Sequence, residues 1–558
     1  RQRQMCIRDR GQSVVIRMKH VISGDESIFK GIITEIGMDG ERGVSGTIHY
    51  RGCSPTILLE SGKTMDSFMD YTLSAIVGEV VKNYGNGVEI VNKPLFNEQI
   101  PYAQMHEETG YEFLRRIAYQ YGEWFYYDGQ KLHFGNPQKD KDETVTYDVD
   151  LDKVSFGSRV TPFHYSRHDY MAEDDRPLYA DDSASVNGIN TYLANAISTS
   201  ESVYQSPTTL YNKAVVGHPV HMNRLLEFEK GRDTASLVWL KGKSKTCRVR
   251  IGEPIAVKIP ASMCDRRDLG KYRVMSVIHE VDKNGVYSNT FEGIPASMER
   301  IPVNNVVLPD ARPMLAKVIS NTDPENIGRV QVQFVWQENQ NKTTNWIRVR
   351  SLDSGTSKAV PKNRGFVFVP EKGDQVLVDF EFGNPSCPYV SGSMFHTNNG
   401  EGGKSENSVK SIITRSGHLI EFNDDEGGEW GITIEDRKKN TIKIDTSGDN
   451  ILITANKDVT ITAGETMTLN AKNLNINVEE NTNVNVKDSA NIDVGKNIKQ
   501  TSTNLEEVIN DKLSLNIGKN FNCKSGDIDI ETFKGDIILK SASKALLQGA
   551  DDARVSKG

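Results

Sequence analysis

Two short segments that begin with histidine are the first candidates for chemistry in this sequence. Residues 106–110 read HEETG and residues 279–283 read HEVDK, and both begin like the zinc-binding helix of a metalloprotease. That motif needs a second histidine four residues after the first, so that both imidazoles face one metal ion. Neither segment has this second histidine, and Thr109 has the spacing of a helix N-cap. We therefore predict that neither segment binds a metal.

Three further patterns fail the same kind of test. His164 and His168 are four residues apart, but they follow a proline without an apolar helical stripe, so we predict exposed loop histidines. Residues 399–405 (NGEGGKS) are preceded by Asn398 where a phosphate-binding loop needs its first glycine, and we predict a linker. Residues 423–430 (NDDEGGEW) lack EF-hand spacing, and an acidic hairpin tip is simpler. No G-x-S-x-G motif or acid–base pair is evident. The sequence thus predicts no catalytic residue, no cofactor and no metal, and we expect a protein that is not an enzyme.

Composition narrows the functional classes. The 558 residues carry a formal net charge of -8, which argues against a dedicated nucleic-acid binder with a basic surface. No apolar run approaches the ~18 residues of a membrane span, and no secretory signal peptide is evident. The six cysteines are scattered without a CxxC pair, which is typical of reduced thiols in a protein made in the cytoplasm. If such a protein leaves the cell, another machine must export it.

The N-terminal half has the patterns of a mixed α/β region. Residues 1–10 (RQRQMCIRDR) look like translated sequencing adaptor and are treated as an artefact, so this region is assigned to residues 11–300. A first helix is predicted to end near Gly85. Its apolar face consists of Leu73, Ile76, Val77, Val80 and Val81.

A second helix and a hairpin follow in the same region. Thr109 and Glu112 have the spacing of a capping box, and Gly122 marks the C-terminal end of this helix. Asp128-Gly129 then joins two apolar runs, which predicts a β-hairpin. Residues 170–230 are polar and give no clear assignment.

Residues 312–395 are predicted to form a small OB-like β-barrel. Candidate strands, separated by Gly, Pro and Asn turns, lie at residues 314–320, 328–336, 345–351, 365–370, 374–382 and 388–395. This number of short strands suits a Greek-key barrel. The strands lack the alternating basic and aromatic residues of a nucleic-acid platform, so we expect a scaffold role. Residues 396–415 are predicted to be a linker.

From residue 416 to 558 the sequence changes character. Every proline lies at or before Pro388, and residues 431–520 contain no Phe, Trp or Tyr. Apolar residues recur in pairs two apart, and within each set of three pairs the step is eight residues, with one slip between the sets. The pairs of the first set are Ile451 and Ile453, Val459 and Ile461, and Met467 and Leu469, and those of the second set are Ile476 and Val478, Val484 and Val486, and Ile492 and Val494. This period predicts a stacked repeat.

Energetics favour three chains over one for this repeat. Ordering eight residues costs roughly 8–16 kcal/mol of backbone entropy. Two buried aliphatic side chains return only about 3–6 kcal/mol. Nearly every backbone group must therefore be paired, which an open single chain does not achieve. The alternative is a single-chain β-helix, but eight residues are too few to form one of its coils. We predict an intertwined trimeric β-helix, a narrow needle whose core consists of the six pairs.

The order of these parts resembles the VgrG family, the spike proteins of type VI secretion systems, which are related to the hub and spike of contractile phage tails. The hub resemblance lies in residues 112–135 and 291–297, and the barrel resemblance in residues 326–336, 345–351 and 373–395. Residues 414–424 (TRSGHLIEFND) resemble the Bacteroidetes-type members. Family members normally carry more residues before SVVIRMKH, so the hub-like domain is expected to be N-terminally incomplete. The sequence shows no room for an enzyme domain between barrel and needle or after the needle. The fold class is expected to be mainly β and multidomain, with a mixed α/β hub-like region, an OB-like barrel and a trimeric β-helix needle.

The resemblance implies a mechanical function. It implies a homotrimer at the tip of a contractile tube, which punctures target membranes and carries effectors. The implied partners are Hcp-type tube rings at the hub end, a PAAR-type protein at the needle tip, baseplate components and, transiently, the target membrane, but no nucleic acid. The implied location is the cytoplasm during assembly and then export into a target cell.

Two other functions stay open at this point. One is a baseplate spike of a phage tail or of an extracellular contractile particle, which has the same architecture. The other, from a different class, is a carbohydrate-active β-helix enzyme, against which the missing carboxylate cluster already counts. Gene neighbourhood tests the first, and depolymerisation of polysaccharide tests the second.

Overall fold

The computed structural model describes residues 10–19, 24–40, 46–85, 87–135, 143–172, 174–181, 186–212, 214–215, 219–260, 262–263, 268–303, 306–400 and 402–556. The first nine residues of the expected artefact lie outside this description, as does Cys264. The chain divides into two units, Arg1–Lys457 and Asp458–Gly558, which are described separately.

The first unit begins with a hydrophobic core around two helices, α1 (Leu73–Asn83) and α2 (Gly110–Gln120). Three small sheets surround this core. Their strands are β1 (Ser13–Lys19), β2 (Glu26–Asp39), β3 (Thr47–Cys53), β4 (Thr64–Thr72), β5 (Ile90–Lys93), β6 (Gln99–Glu108), β7 (Phe125–Tyr127) and β8 (Leu132–Gly135). The sheet orders are β1-β2-β3, β4-β6 and β5-β8-β7.

Both predicted helices and the hairpin are confirmed. All five residues of the predicted apolar face of α1 are buried, and the left-handed Gly85 follows the helix. At the start of α2, Thr109 Oγ1 accepts a hydrogen bond from Glu112 N at 3.1 Å, and Glu112 Oε2 accepts one from Thr109 N at 2.9 Å. The turn between β7 and β8 contains Gly129 with φ +101°, a conformation that glycine adopts without strain.

A second core lies behind a six-stranded sheet of order β10-β14-β17-β16-β15-β9. Its strands are β9 (Glu143–Thr146), β10 (Leu151–Ser158), β14 (Val238–Ser244), β15 (Pro254–Lys258), β16 (Asp268–Val281) and β17 (Tyr287–Pro295). Helix α3 (Thr191–Val203) contributes Leu193 and Ala196 to this core. The fully buried Trp124 links it to the preceding elements, because its Nε1 donates to Glu299 O at 2.7 Å.

The stretch that the sequence left unassigned forms a three-stranded sheet and a helix. The strands are β11 (Tyr165–Met171), β12 (Arg176–Ala180) and β13 (Thr208–Tyr211), and the helix is α4 (Pro219–Ala235). The prediction of exposed loop histidines was wrong. His168 lies on the central strand β11, half-buried, with its ring 5.6 Å from that of Tyr211. His164 does lie in the loop immediately before this strand, as predicted, but it too is half-buried and not exposed.

The next part is a small barrel with its own core. Its elements are β18 (Met314–Ser320), β19 (Gln331–Phe334), the single turn α5 (Val335–Glu338), β20 (Ser354–Gly355), β21 (Arg364–Gly365), β22 (Gln375–Phe380) and β23 (Pro388–Ser393). The main sheet has the order β19-β18-β22-β23. Two predicted strands were wrong in extent. Residues 345–351 contribute only isolated bridges through Ile347 and Val349, and residues 365–370 pair only at their first position.

A five-stranded antiparallel meander completes the described part of the first unit. Its strands are β24 (Val409–Ile413), β25 (Leu419–Asn423), β26 (Gly431–Glu435), β27 (Thr441–Asp445) and β28 (Asn450–Thr454), paired in chain order. The predicted acidic hairpin tip is confirmed, because β25 and β26 pair across it. Strand β24 lies inside the stretch predicted to be a linker and pairs along its whole length with β25.

The second unit is extended, and every residue from 458 to 556 is exposed. None of its described residues belongs to a strand paired within the chain. Its backbone bends at regular intervals, at residues 464–465, 472, 479–480, 487–488, 495–496, 503, 510–511, 518–519, 526, 533–535, 542–543 and 550–551. The bends therefore follow the eight-residue step over the whole unit.

Candidate assembly surfaces

The meander carries a nearly continuous apolar face. The strand register aligns one row of isoleucines across all five strands and a second apolar row across four of them. The first row is Ile412, Ile420, Ile434, Ile442 and Ile453, and the second is Phe422, Ile432, Ile444 and Ile451. We call these nine residues the isoleucine face. Their positions two apart on each strand place them on one side of the sheet.

Within the described chain the isoleucine face is open to solvent. Exposed fractions of its side chains reach 72% at Ile451. The opposite side carries Ser411, Glu421, Thr433 and Lys443 along one register line that ends at Leu452, and it is more polar than the isoleucine face. A sheet with one apolar and one polar side normally packs its apolar side against another element. A contiguous exposed apolar patch of this kind indicates an interaction surface.

The predicted needle core is divided between the two units. Ile451 and Ile453 lie on β28 and belong to the isoleucine face. The other ten predicted core residues lie along the extended unit. They are Val459, Ile461, Met467, Leu469, Ile476, Val478, Val484, Val486, Ile492 and Val494.

All ten of these residues are exposed in the described chain, which differs from the expectation of a buried core. Their exposed fractions run from 45% at Val494 to 83% at Val484, and even the best covered of them remain about half exposed. The physical reason is that an extended strand without a paired neighbour has no element to cover either of its sides. A single chain does not bring these residues together, so their role as a trimer core stays a prediction.

Sequence reasoning missed most of the isoleucine face. It began its apolar pairs at Ile451, although the alternation is present in residues 419–422 (LIEF), 431–435 (GITIE) and 441–445 (TIKID). The first row advances by 8, 14, 8 and 11 residues, because the turns differ in length. A search for period two within each strand finds these residues, but a search for one constant repeat does not.

The barrel is attached to the hub region through a small polar junction. Gln337 Nε2 donates to Ser67 Oγ at 2.8 Å, and Ser386 Oγ accepts from Gln104 N at 3.1 Å. A third link is ionic, with Lys342 Nζ 2.5 Å from Asp66 Oδ1. These partners come from distant parts of the sequence, so the junction fixes the barrel against β4 and β6.

Buried ionisable groups here serve packing. Burial raises the pKa of Glu123, whose Oε1 accepts backbone hydrogen bonds from Leu95 and Phe96 at 2.9 and 2.7 Å. Burial also raises the pKa of the Cys387 thiol to about 12, which leaves it protonated and unreactive at neutral pH. Among the described residues, no group of three or more His, Cys, Asp or Glu side chains is placed to hold a metal ion.

A cleft of about 280 Å³ between hub and barrel is a candidate site for a small ligand. Two of the arginines that line it are already neutralised. Arg116 Nε lies 2.7 Å from Glu108 Oε1, and Arg167 forms a bidentate pair with Glu229. The cleft therefore offers neither arginine to an anionic ligand. Separately, none of the helices among the described residues combines the length and apolarity that a bilayer span requires.

Comparison with known proteins gives the class. Residues 8–173 match the family model of the phage tail baseplate hub, and residues 314–395 match that of the type VI secretion system/phage-baseplate injector OB domain. In chain order, a segment similar to phage tail baseplate hubs is thus followed by one similar to the OB domain of phage-baseplate-type injectors.

Curated relatives give the type within that class. The type VI secretion system spike protein VgrG1b of Pseudomonas aeruginosa is 26% identical over 196 residues, which cover 31% of this chain and 26% of that protein. VgrG5 of the same organism is 34% identical over 121 residues, 20% of this chain and 14% of that protein. By these matches the chain is similar to VgrG-type spike proteins. Its alignments span about a quarter or less of these relatives, and its Bacteroidetes-type character stays a prediction.

Two solved structures are similar at low identity. A type VI secretion component of E. coli, the c3393 protein, is 14% identical with a TM-score of 0.44, and the match covers 68% of this chain and 86% of that one. A Francisella PdpA–VgrG complex is 10% identical with a TM-score of 0.49, over 80% of this chain and 78% of that one.

Proposed function

We propose that three copies of this chain form the spike at the tip of a contractile injection device of the type VI secretion class. The observation that carries this proposal is the isoleucine face, which is apolar on one side and open in the single chain. It is followed by a tract with no strand pairing of its own. Three identical copies would supply partners for both features, because each copy presents the same apolar rows and the same eight-residue step.

Three meanders with their isoleucine faces inward would enclose a dry prism. Each buried isoleucine contributes on the order of 1.5–3 kcal/mol relative to exposure. Eight isoleucines and Phe422 in each of three copies therefore give a large driving force for association of the folded meanders. The extended tract would continue this structure, with its backbone groups paired between copies.

The function of such a spike is mechanical, and we propose no catalytic step. Resistance to bending would come from continuous backbone pairing, while the acidic exterior keeps the shaft soluble. Residues 405–558 carry 19 Lys+Arg and 25 Asp+Glu, a net charge of -6. One relative is named an actin cross-linking toxin, VgrG1 of Vibrio cholerae, and it is 30% identical over 20% of this chain and 10% of its own length. That activity is a property of the relative.

The proposed partners follow from the family resemblance. The hub end would sit on Hcp-type tube rings within a baseplate, and the needle end would hold a PAAR-type tip protein. Effectors would travel as cargo on this assembly. The chain would assemble in the cytoplasm and be injected by the device, with transient contact with the target membrane. The phage-tail or extracellular-particle alternative makes the same trimer and differs in its neighbouring genes, where capsid genes would identify a phage.

The mass of the purified chain tests the proposal directly. Native mass spectrometry should give a species with three times the mass of the 62.2 kDa chain. Electron micrographs should show a thin shaft that projects from a wider body. A monomer at micromolar concentration would overturn the proposal.

A further inference from the structure

The two lateral edges of the meander carry opposite charge. Because its strands are antiparallel and paired in chain order, successive turns lie alternately at the two ends of the strands. The turns at residues 414–418 and 436–440 lie at one end of the strands, and those at residues 424–430 and 446–449 lie at the other end. We call the first pair of turns the basic edge and the second pair the acidic edge.

The basic edge contains four permanent cations and one carboxylate. They are Arg415, Arg437, Lys438, Lys439 and Asp436. That carboxylate is used inside its own turn, where Asp436 accepts hydrogen bonds from Asn440 N and Nδ2 and from Lys438 N. These hydrogen bonds lower the pKa of Asp436, so it remains ionised, and its single negative charge leaves the basic edge with a net charge of +3.

The acidic edge contains five carboxylates and no cation. They are Asp424, Asp425, Glu426, Glu429 and Asp449. Two of them are paired within the sheet, Asp424 with Lys410 and Glu429 with Lys443, each at 2.8 Å. Asp425, Glu426 and Asp449 have no ion-pair partner in the described part of the chain. On the opposite edge the same holds for Arg437 and Lys438.

We propose that the acidic edge of each meander docks against the basic edge of the next copy around the three-fold axis. This inference rests on the proposed trimer, because closing three sheets with their isoleucine faces inward brings the two edges of neighbouring sheets together. Such a contact is heterologous, and in a three-fold ring every edge then meets its complement. A sheet inserted in the reverse direction would oppose like charges.

The role of this contact is orientation more than stability. Exposed ion pairs contribute little individually and are screened by salt. Complementary charge instead steers encounter and suppresses wrong registers, because like charges in apposition are costly. The charged residues lie in the turns that join strands of only five residues. These turns are the parts of each sheet that would meet the neighbouring sheet in the trimer.

Charge reversal with rescue tests the proposal. Arg437→Glu together with Lys438→Glu makes both edges acidic, and we expect the trimeric fraction after refolding to fall at least about tenfold at low salt. Adding Asp425→Lys and Glu426→Lys to the same chain reverses two of the three acidic-edge carboxylates that lack an ion-pair partner. The unpaired charges again have opposite sign across the contact, and trimer yield should recover. Lys153→Glu with Lys243→Glu, a cross-strand pair on the exposed side of the hub sheet, changes the net charge equally and is the control. Its trimer yield should match that of the unaltered chain.

The outcomes separate this inference from the proposed function. A monomeric unaltered chain overturns both. A trimeric unaltered chain whose edge-reversed variant assembles as well as the control overturns the edge contact alone. Failure of the fourfold variant to recover would likewise overturn it, as would a loss of assembly that persists unchanged at 1 M salt, since the Debye length is then only about 3 Å.

Discussion

Arg329 and Asp323 form a buried ion pair at the start of the barrel, with Arg329 Nη2 2.9 Å from Asp323 Oδ1 and both side chains almost fully buried. The backbone N–H groups of Glu325, Ile327 and Arg329 also donate to this carboxylate. The pair therefore fixes residues 323–329, which lead directly into β19. Breaking one partner of a buried pair is costly because the other charge stays buried.

Asp323→Asn should destabilise the barrel by about 3–5 kcal/mol, since it leaves the Arg329 guanidinium without its main counter-charge. Thermal unfolding followed by the fluorescence of Trp336, which packs on the barrel core, would measure this loss. Glu325→Gln is a matched control, because Glu325 also contacts Arg329, at 3.2 Å, but is largely exposed. Its effect should stay within about 0.5 kcal/mol. Equal effects of the two substitutions would contradict a structural role for the buried pair.

The same carboxylate makes the barrel sensitive to acid. Burial alone would raise the pKa of Asp323. Hydrogen bonds from Arg329 and the backbone instead lower this pKa to about 2, from an ordinary value of 3.8. A lowered folded-state pKa gives stabilisation that is present above the unfolded-state pKa of 3.8 and is lost as the pH falls from there through 2. The free energy of unfolding of the unaltered protein should therefore fall more steeply with decreasing pH in this window. Asp323→Asn should remove that part of the pH dependence, and an unchanged pH profile would show that another group is responsible.

Val484→Asp should prevent needle assembly. In the predicted trimer, three Val484 side chains approach the axis at one level, and three carboxylates there would be buried without partners, which costs several kcal/mol for each charge. Asn483→Asp alternates to the outer side and should change stability by no more than about 0.5 kcal/mol. Native mass and melting temperature of both variants give the comparison. Trimers of equal stability would mean that the assignment of the inward side is wrong.

Gln500 stands eight residues after Ile492, where a continuation of the predicted inward row would place an apolar residue. A buried amide without partners costs about 1–3 kcal/mol. Gln500→Leu should therefore raise the melting temperature of the trimer. Lys499→Leu, on the alternate side, makes a comparable apolar change and should not. A lower melting temperature for Gln500→Leu would show that the amide is hydrogen-bonded between copies.

The bends predict the length of the shaft. Residues 458–556 contain about twelve eight-residue steps, and one strand layer of about 4.8 Å per step gives on the order of 60 Å. Electron micrographs of the purified chain would measure this shaft. A shaft twice as long, or a compact particle without one, would be incompatible with one layer per step.

Sequence patterns correctly predicted the elements that depend on interactions between residues close together in the sequence. The capping box of α2 and the apolar face of α1 lie within single helices, and both were assigned correctly. Strand β11 was missed because its sequence, YSRHDYM, has polar residues on both sides. Its partners Tyr179 and Tyr211 come from distant segments that sequence alone does not align. Residues 345–351 have strand composition, yet tertiary packing leaves them only isolated bridges.

The assembly surface was predicted only in part for a related reason. The eight-residue step from Val459 onward was visible because every segment has nearly the same length. The isoleucine face has irregular turns, and its alignment depends on pairing registers such as Ile420 with Ile434. Charge separation between the meander edges also depends on which turns share a side, which only the pairing order shows.

The exposure of the whole tract after Lys457 has a kinetic consequence. A segment without internal pairing cannot fold alone, and free tracts meeting in solution would form a needle at a rate that depends steeply on concentration. If hubs, barrels and meanders associate first, they hold three tracts at an effective concentration that a short tether sets in the millimolar range. Winding of the shaft then becomes a unimolecular process that starts beside the meander. Substitutions far upstream, which weaken association of the folded bodies, would abolish the shaft without touching one of its residues.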